Sequence, residues 1–238
     1  MTTEEFSNGF DTLVNSYRRF KAFDRQEIDD SIEFNEYEKS LFLTKAQHEL
    51  VIDFYNGKNP YRDSFEGTEE LRRYLDSLVK TKSYSIEDRV IETNGVSDNS
   101  VLYELPEDLA FITLEQIIFD DVSLGCYNGR RADIYPVTQD EYSRVKDNPF
   151  RGSTKYKALR LDYGMGIVEI ISKYTFNKYL IKYLSKPEPI VLEDMPNELS
   201  IEGEREKTDC KLNPILHDTI LDNAVRLALI SKGIGIKQ

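Results

Sequence analysis

With 43 acidic residues against 31 basic ones in 238, the chain carries a formal charge of -12, which argues against general wrapping of nucleic acid, because phosphate binding draws its affinity from Lys and Arg. The aromatic share of 11%, with 15 Tyr, 12 Phe and no Trp, excludes a disordered acidic polymer and predicts a packed protein. Its two cysteines, Cys126 and Cys210, form no CxxC pair, so neither a disulfide framework nor a zinc knuckle is indicated and a reducing compartment is expected.

Thr2 and Glu5 stand at capping-box spacing, and Phe6, Phe10, Leu13 and Tyr17 then recur on one face, which predicts a first helix. Over 24–38 seven acids (Asp24, Glu27, Asp29, Asp30, Glu33, Glu36, Glu38) stand against Arg25 alone. This stretch lacks the spacing of a calcium loop and reads as a solvated connector rather than a cation site. Thr44 and Gln47 make a second capping box ahead of Ala46, Leu50 and Phe54, and Asn56-Gly57 supplies a stop. The turn-rich Lys58-Asn59-Pro60-Tyr61 precedes a third helix, from about Thr68 to about Lys80, carried by Leu71, Leu75 and Leu78.

From about Tyr84 the pattern alternates with turn punctuation, the signature of strands. Segments 89–93 and 101–105 flank Asn94-Gly95 as a hairpin, 109–119 is a longer strand, and 131–137 returns after Gly125 and Gly129. Thr138 and Glu141 cap a short helix ending near Pro149. Segments 155–161, 167–172 and 176–184 are predicted as a three-strand antiparallel meander with Tyr163-Gly164-Met165-Gly166 as its first turn; Tyr179, Ile181 and Tyr183 share one face of the last strand, Leu180, Lys182 and Leu184 the other.

Lys186-Pro187-Glu188-Pro189 ends the meander, and 192–206 carries six acids against Arg205, an exposed connection with a short strand near 199–201. Asn213 and Pro214 open a final helix that Gly233 closes. Its polar stripe, Asp218, Asp222 and Arg226, is narrow beside Leu216, Ile220, Leu221, Ala224, Val225, Leu227 and Ala228, so it is expected to be buried on most sides. The predicted whole is one α+β domain with a central antiparallel β-sheet and helices from the N-terminal third and the C-terminus. Its parts are a helix plus acidic connector over 1–40, a helical part over 41–83, the sheet over 84–184, an extended acidic connection over 185–212 and the closing helix over 213–232. Met1 opens no charged-then-apolar leader, and apolar runs such as Ile167–Ile171 are far short of the ~20 residues a membrane span needs. A soluble chain, not classically secreted and without a membrane span, is expected.

Chemical motifs are sparse. Gly164-Met165-Gly166 begins a GxGxxG match that fails at Glu169 and joins two strands, where a dinucleotide fingerprint leads from strand to helix; the plain turn is preferred. His48-Glu49 starts an HExxH in which Ile52 replaces the second histidine, and one imidazole cannot hold the metal. The spacing of Cys126, Cys210, His217 and His48 suggests neither a zinc site nor a Cys-His nucleophile, and no GxSxG elbow is present. No catalytic residue, cofactor or metal is therefore assigned. The remaining anomaly is 144–160, where Arg144, Lys146, Arg151, Lys155, Lys157 and Arg160 stand against Asp147 alone, with Phe150 and Tyr156 interleaved. Such a segment suits contact with a nucleic acid backbone or docking onto the acidic segment of a neighbouring copy; the second, a heterologous contact that closes a ring, is favoured.

Several segments taken in order carry a resemblance: Phe42-Leu43-Thr44-Lys45-Ala46-Gln47, Leu105-Pro106-Glu107-Asp108, Asn148-Pro149-Phe150-Arg151-Gly152, the three-strand segment, and the closing run from Leu216-His217-Asp218 to Val225. Together, over roughly 41–232, they resemble the ring proteins of the tail barrel below the portal in crAss-like phages of gut Bacteroidales. The resemblance implies a non-catalytic structural subunit of a head-to-tail connector or tail-barrel ring, assembled in the host cytoplasm and carried in the virion. It implies self-association, as a ring of twelve copies, with the portal protein or neighbouring rings as partners and DNA passing through the channel without specific binding. The readings from other classes are a carboxylate-dependent phage hydrolase and a monomeric nucleic-acid-binding module using 144–160.

Overall fold

The computed structural model describes residues 1–23, 33–58, 65, 67–90, 95–97, 100–196 and 198–233. Much of the acidic 24–38 stretch, the Asn59-Pro60-Tyr61 turn and most of the 89–93 strand lie outside these residues, as does Asn94. The fold is α+β, as expected, and its chain forms two compact units, one from 1–78 joined by 187–238 and one from 79–186.

The first unit is helical. Helix α1 (Thr3–Phe23) opens on the predicted capping box, with the Glu5 N–H donating to Thr2 Oγ1 at 3.2 Å and the Thr2 N–H to Glu5 Oε2 at 2.8 Å. Phe6, Phe10 and Val14 form its buried face, while Tyr17 is exposed. Helix α2 (Glu36–Tyr55) begins more than two turns ahead of Thr44. The cap is Asn35, whose side chain accepts from the Glu38 N–H at 2.8 Å while the Glu38 carboxylate accepts from the Asn35 N–H at 3.1 Å. Replacing Asn35 by Ala is expected to cost about 1 kcal/mol in urea unfolding; an unchanged midpoint would mean that the first turn of α2 contributes nothing to stability.

Thr44 and Gln47 are therefore mid-helix residues, and they do other work. With Ser40 they line one face of α2 and bind the backbone of 188–192. Ser40 Oγ accepts from the Leu192 N–H at 3.0 Å, Thr44 Oγ1 accepts from the Ile190 N–H at 3.0 Å, and Gln47 Nε2 donates to the Glu188 carbonyl at 3.0 Å. Ile190, Val191 and Leu192 are consequently buried, so the start of the predicted exposed connection is core. Beyond it, 191–208 doubles back as a narrow hairpin bridged at Val191 with Thr208 and at Ile201 with Glu204, and turning at Glu202 (φ 52°) and Gly203 (φ 94°).

Helix α3 (Glu69–Tyr74) is capped by Thr68 and gives way to a 3-10 turn at Asp76–Leu78, ending well short of Lys80 because 79–85 belongs to a strand. Asn213 caps the 3-10 turn Pro214–Leu216, from which α5 (His217–Ser231) continues, and Gly233 stops it at φ 77°. Ile220, Leu221, Ala224, Val225 and Ala228 of α5 are buried and Asp218, Asp222 and Arg226 exposed, as the stripe predicted. Helix α5 packs against α1 and α2. At Gly9 a Cβ would lie 2.8 Å from Leu221 Cδ2, so α1 approaches α5 through a missing side chain.

The second unit is a seven-stranded sheet. Its strands are β1 (Val79–Ser85), β2 (Ser100–Glu104), β3 (Leu109–Phe119), β4 (Arg131–Pro136), β5 (Lys157–Gly164), β6 (Ile167–Ile171) and β7 (Phe176–Ser185), with α4 (Gln139–Val145) between β4 and β5. The order across the sheet is β1-β7-β3-β4-β5-β6-β2, antiparallel except for β4 with β5. This corrects the meander. β5 and β6 pair as predicted, but β6 then pairs with β2, and β7 lies between β1 and β3. The link 173–175 explains why. The Asp120 N–H donates to the Thr175 carbonyl at 2.9 Å, and the Thr175 N–H to Asp121 Oδ2 at 3.1 Å, which ties the chain to the end of β3 and prevents a tight return onto β6.

The sheet curls until its edge strands meet. Tyr84 of β1, Tyr103 of β2 and Tyr179 of β7 stack with centroids 5.2–5.4 Å apart. The Tyr84 hydroxyl donates to the Glu104 carbonyl at 2.7 Å, and Arg89 bridges Tyr103. Joining its edges in this way shields strands that would otherwise offer unpaired backbone. Glu115 of β3 is a buried charge in this unit: it accepts from the Tyr179 hydroxyl and from Arg160 of β5, whose Nε also faces Asp162 at 3.1 Å.

Candidate subunit interface

The six basic residues singled out in the sequence differ in their surroundings. Arg160 is committed to Glu115 and Asp162, with its side chain only 12% exposed. Arg144 and Lys146 project from the end of α4, and Arg151 from the loop that follows. Lys155 and Lys157 belong to a tight turn, in which Thr154 and Lys157 exchange backbone hydrogen bonds of 2.9 and 3.3 Å. Lys157 Nζ donates back to the Phe150 carbonyl at 2.7 Å, and Phe150 itself is 87% exposed.

What the turn presents is Lys155 and Tyr156, and these meet a second loop that sequence reasoning missed. The β3–β4 corner runs through a 3-10 stretch, Val122–Tyr127, started by Asp121, whose carboxylate accepts from the Ser123 N–H at 2.9 Å. Asn128 Oδ1 then accepts from the N–H groups of Asp121 and Gly129 at 2.9 and 3.0 Å, which fixes Tyr127 in place. The Tyr127 and Tyr156 rings stand edge to face at 5.6 Å, with their hydroxyls 3.1 Å apart. Lys155 Nζ lies 4.1 Å from the Tyr127 centroid, and the Arg130 guanidinium 4.9 Å from the same ring. No linear spacing signals this cluster, because Tyr127 and Arg130 come from another strand connection.

The electrostatics follow from the contacts. The Tyr156 hydroxyl holds the Lys155 ammonium above its usual range, and the bond from Tyr127 together with the Lys155 charge draws the Tyr156 phenol below its own. Lys155 is thus a permanent cation on a half-exposed aromatic face. Aromatic rings beside cations are the commonest anchors of protein interfaces, and they also stack on nucleobases.

His48 faces Glu202 at 3.4 Å across the hairpin turn. His217 is buried with Nε2 3.0 Å from the Leu212 carbonyl, and burial lowers its pKa. Cys210 is buried, which pushes its thiol up, and Cys126 is exposed. Among the described residues no three His, Cys, Asp or Glu side chains gather to hold a metal ion, and no helix is long and apolar enough to cross a membrane.

Comparison with known proteins gives the class. The chain is 48% identical over 233 residues to "Ring protein 3" of Bacteroides phage crAss001, covering 98% of this chain and 96% of the relative. It is 30% identical over 241 residues to "Ring protein 4/5" of the same phage, covering 96% and 92%. Over residues 1–238 it also matches a family model, and the chain belongs to that family, the phage tail ring protein 3/4 family. The resemblance to ring proteins of crAss-like phages is therefore borne out.

Proposed function

We propose that the chain is a non-catalytic subunit of a homo-oligomeric ring of twelve copies in the phage tail or head-to-tail connector. The helical and sheet units together make one ring subunit, which stacks on the portal or on neighbouring rings and surrounds the channel through which DNA passes without specific binding. It assembles in the host cytoplasm and resides in the virion. The observation that carries the reading is the full-length match to the ring family. The charge of -12 agrees with a lumen that repels DNA and lets it slide.

In this reading the face formed by Arg144, Lys146, Arg151, Lys155 and Lys157 docks on acidic surface of the next copy, a heterologous contact that closes into a ring. Arg160 supports that face from within the sheet. The double variant Lys155→Glu, Lys157→Glu is expected to lower the assembled fraction at least about tenfold by light scattering and negative-stain imaging, since like charges across an interface cost several kcal/mol. Its thermal transition should stay close to that of the parent. Undisturbed rings would remove this face from the interface. The Tyr127–Tyr156 pair, with Tyr156 exposed, supports one other reading, contact with single-stranded nucleic acid, which predicts DNA binding that falls steeply with salt.

A further inference from the structure

A cleft of about 420 Å³ opens in the sheet unit, between the end of α4, the β6–β7 link and residues 96–97. Its polar lining consists mainly of donors. Lys146 and Lys173 contribute exposed ammonium groups, and Asp147 is the one acid among the lining residues. Two hydroxyls are set with their hydrogens free. Ser153 Oγ already accepts from the Lys173 N–H at 2.8 Å, and Ser172 Oγ from the Tyr174 N–H at 3.2 Å. Each oxygen is thereby turned toward donation, and neither hydroxyl has an acceptor among the described residues. Two cations and two spare O–H groups are what a carboxylate needs to replace its water.

The cleft is also rigid. At Gly152 a Cβ would lie 2.7 Å from the Asn148 carbonyl oxygen and 3.0 Å from those of Val145 and Lys146. The loop after α4 is therefore packed backbone to backbone, and its Asn148 side chain accepts from the N–H groups of Phe150 and Arg151 at 2.9 and 3.1 Å. A site held in this way loses little freedom on binding.

The matching surface is the acidic hairpin of the helical unit. Backbone bonds order it along its length: Val191 with Thr208 at 3.0 and 3.1 Å, Met195 N–H to the Arg205 carbonyl at 2.8 Å, and Ile201 with Glu204 at 2.9 and 3.0 Å. Glu193, Asp194, Glu198, Glu204 and Glu206 are exposed, and the bases of the hairpin are Arg205 and Lys207. We infer that the Lys146–Lys173 cleft is the socket for carboxylates of the 191–208 hairpin of the adjacent copy. The inference rests on the ring reading above and names the two elements that meet.

The test uses two full-length chains of opposite reversal. One carries Lys146→Glu and Lys173→Glu, so that socket and hairpin are both acidic; the other carries Glu204→Lys and Glu206→Lys, so that the socket and the 204–207 arm of the hairpin are both basic. All four positions are exposed, and circular dichroism melts should match the parent. Neither chain alone is expected to form rings, with the assembled fraction down at least about tenfold. An equimolar mixture should restore rings, because each socket then faces a hairpin of opposite sign in strict alternation around an even-numbered ring. Rings from either chain alone, or a mixture that stays unassembled, would overturn the socket while leaving the ring reading intact. Absence of rings from the parent chain would overturn the ring reading itself, and this inference with it.

Discussion

Replacing Arg160 by Met is expected to destabilise the protein by roughly 3–5 kcal/mol, the usual cost of removing one partner of a buried ion pair. The reason is Glu115, whose side chain is 5% exposed and whose two oxygens are held by Arg160 and by the Tyr179 hydroxyl. Methionine fills much the same space, yet it leaves a carboxylate inside the sheet with only Tyr179 to answer it. Double replacement of Glu115 and Arg160 by apolar residues of similar volume should recover most of the loss, because the charge itself is what becomes costly.

The same pair predicts a pH dependence with a definite sign. Burial pushes the Glu115 carboxyl above its ordinary value of 4.5, while the Arg160 charge and the Tyr179 hydrogen bond pull it partly back. Removing Arg160 takes away one of the two restraints, so the folded-state pKa climbs further. A group whose pKa is raised on folding favours the native state at low pH and loses that contribution as pH rises through the folded value. The deficit of Arg160→Met should therefore be largest at high pH and shrink as the solution is acidified and Glu115 takes up its proton. Urea unfolding of parent and variant at several pH values measures this; a deficit that is the same at every pH would show that Glu115 is not the group left uncompensated.

Position on the fold explains why some of this was legible in the sequence and some was not. Strand β3 (Leu109–Phe119) and helix α5 were read correctly because their signals are local: alternation in one, and in the other an Asn-Pro start, a Gly stop and a narrow polar stripe. The meander failed because strand pairing is not local. Nothing in Ser172-Lys173-Tyr174-Thr175 announces that Thr175 binds Asp120 and Asp121 at the far end of β3. Arg160 counted as part of a basic segment for the same reason, since its partner Glu115 is forty-five residues away in sequence. The cation–aromatic cluster was half visible: Lys155 and Tyr156 stood out, whereas Tyr127 and Arg130 reach them only through the β3–β4 corner.

A threonine three residues before a glutamine does have hydroxyl and amide groups seeking backbone partners, but α2 was already running, and the partners lie on another segment. Replacing Thr44 by Val keeps the shape and removes the hydroxyl that accepts from the Ile190 N–H, leaving a buried donor without a partner at a cost of about 1–3 kcal/mol. Adding Ser40→Ala strips the Leu192 N–H as well, and the double variant should lose roughly 2–5 kcal/mol. Amide hydrogen exchange gives the specific readout. Ile190 and Leu192 should lose protection in the variants to the extent that each hydroxyl holds its strand, while amides at the centre of α2 change only with global stability. Because the acidic hairpin begins at Val191, loosening this clamp should also weaken ring assembly before the protein unfolds. If Ile190 and Leu192 remained protected in the double variant, apolar burial of Ile190, Val191 and Leu192 alone would be holding the hairpin base to α2.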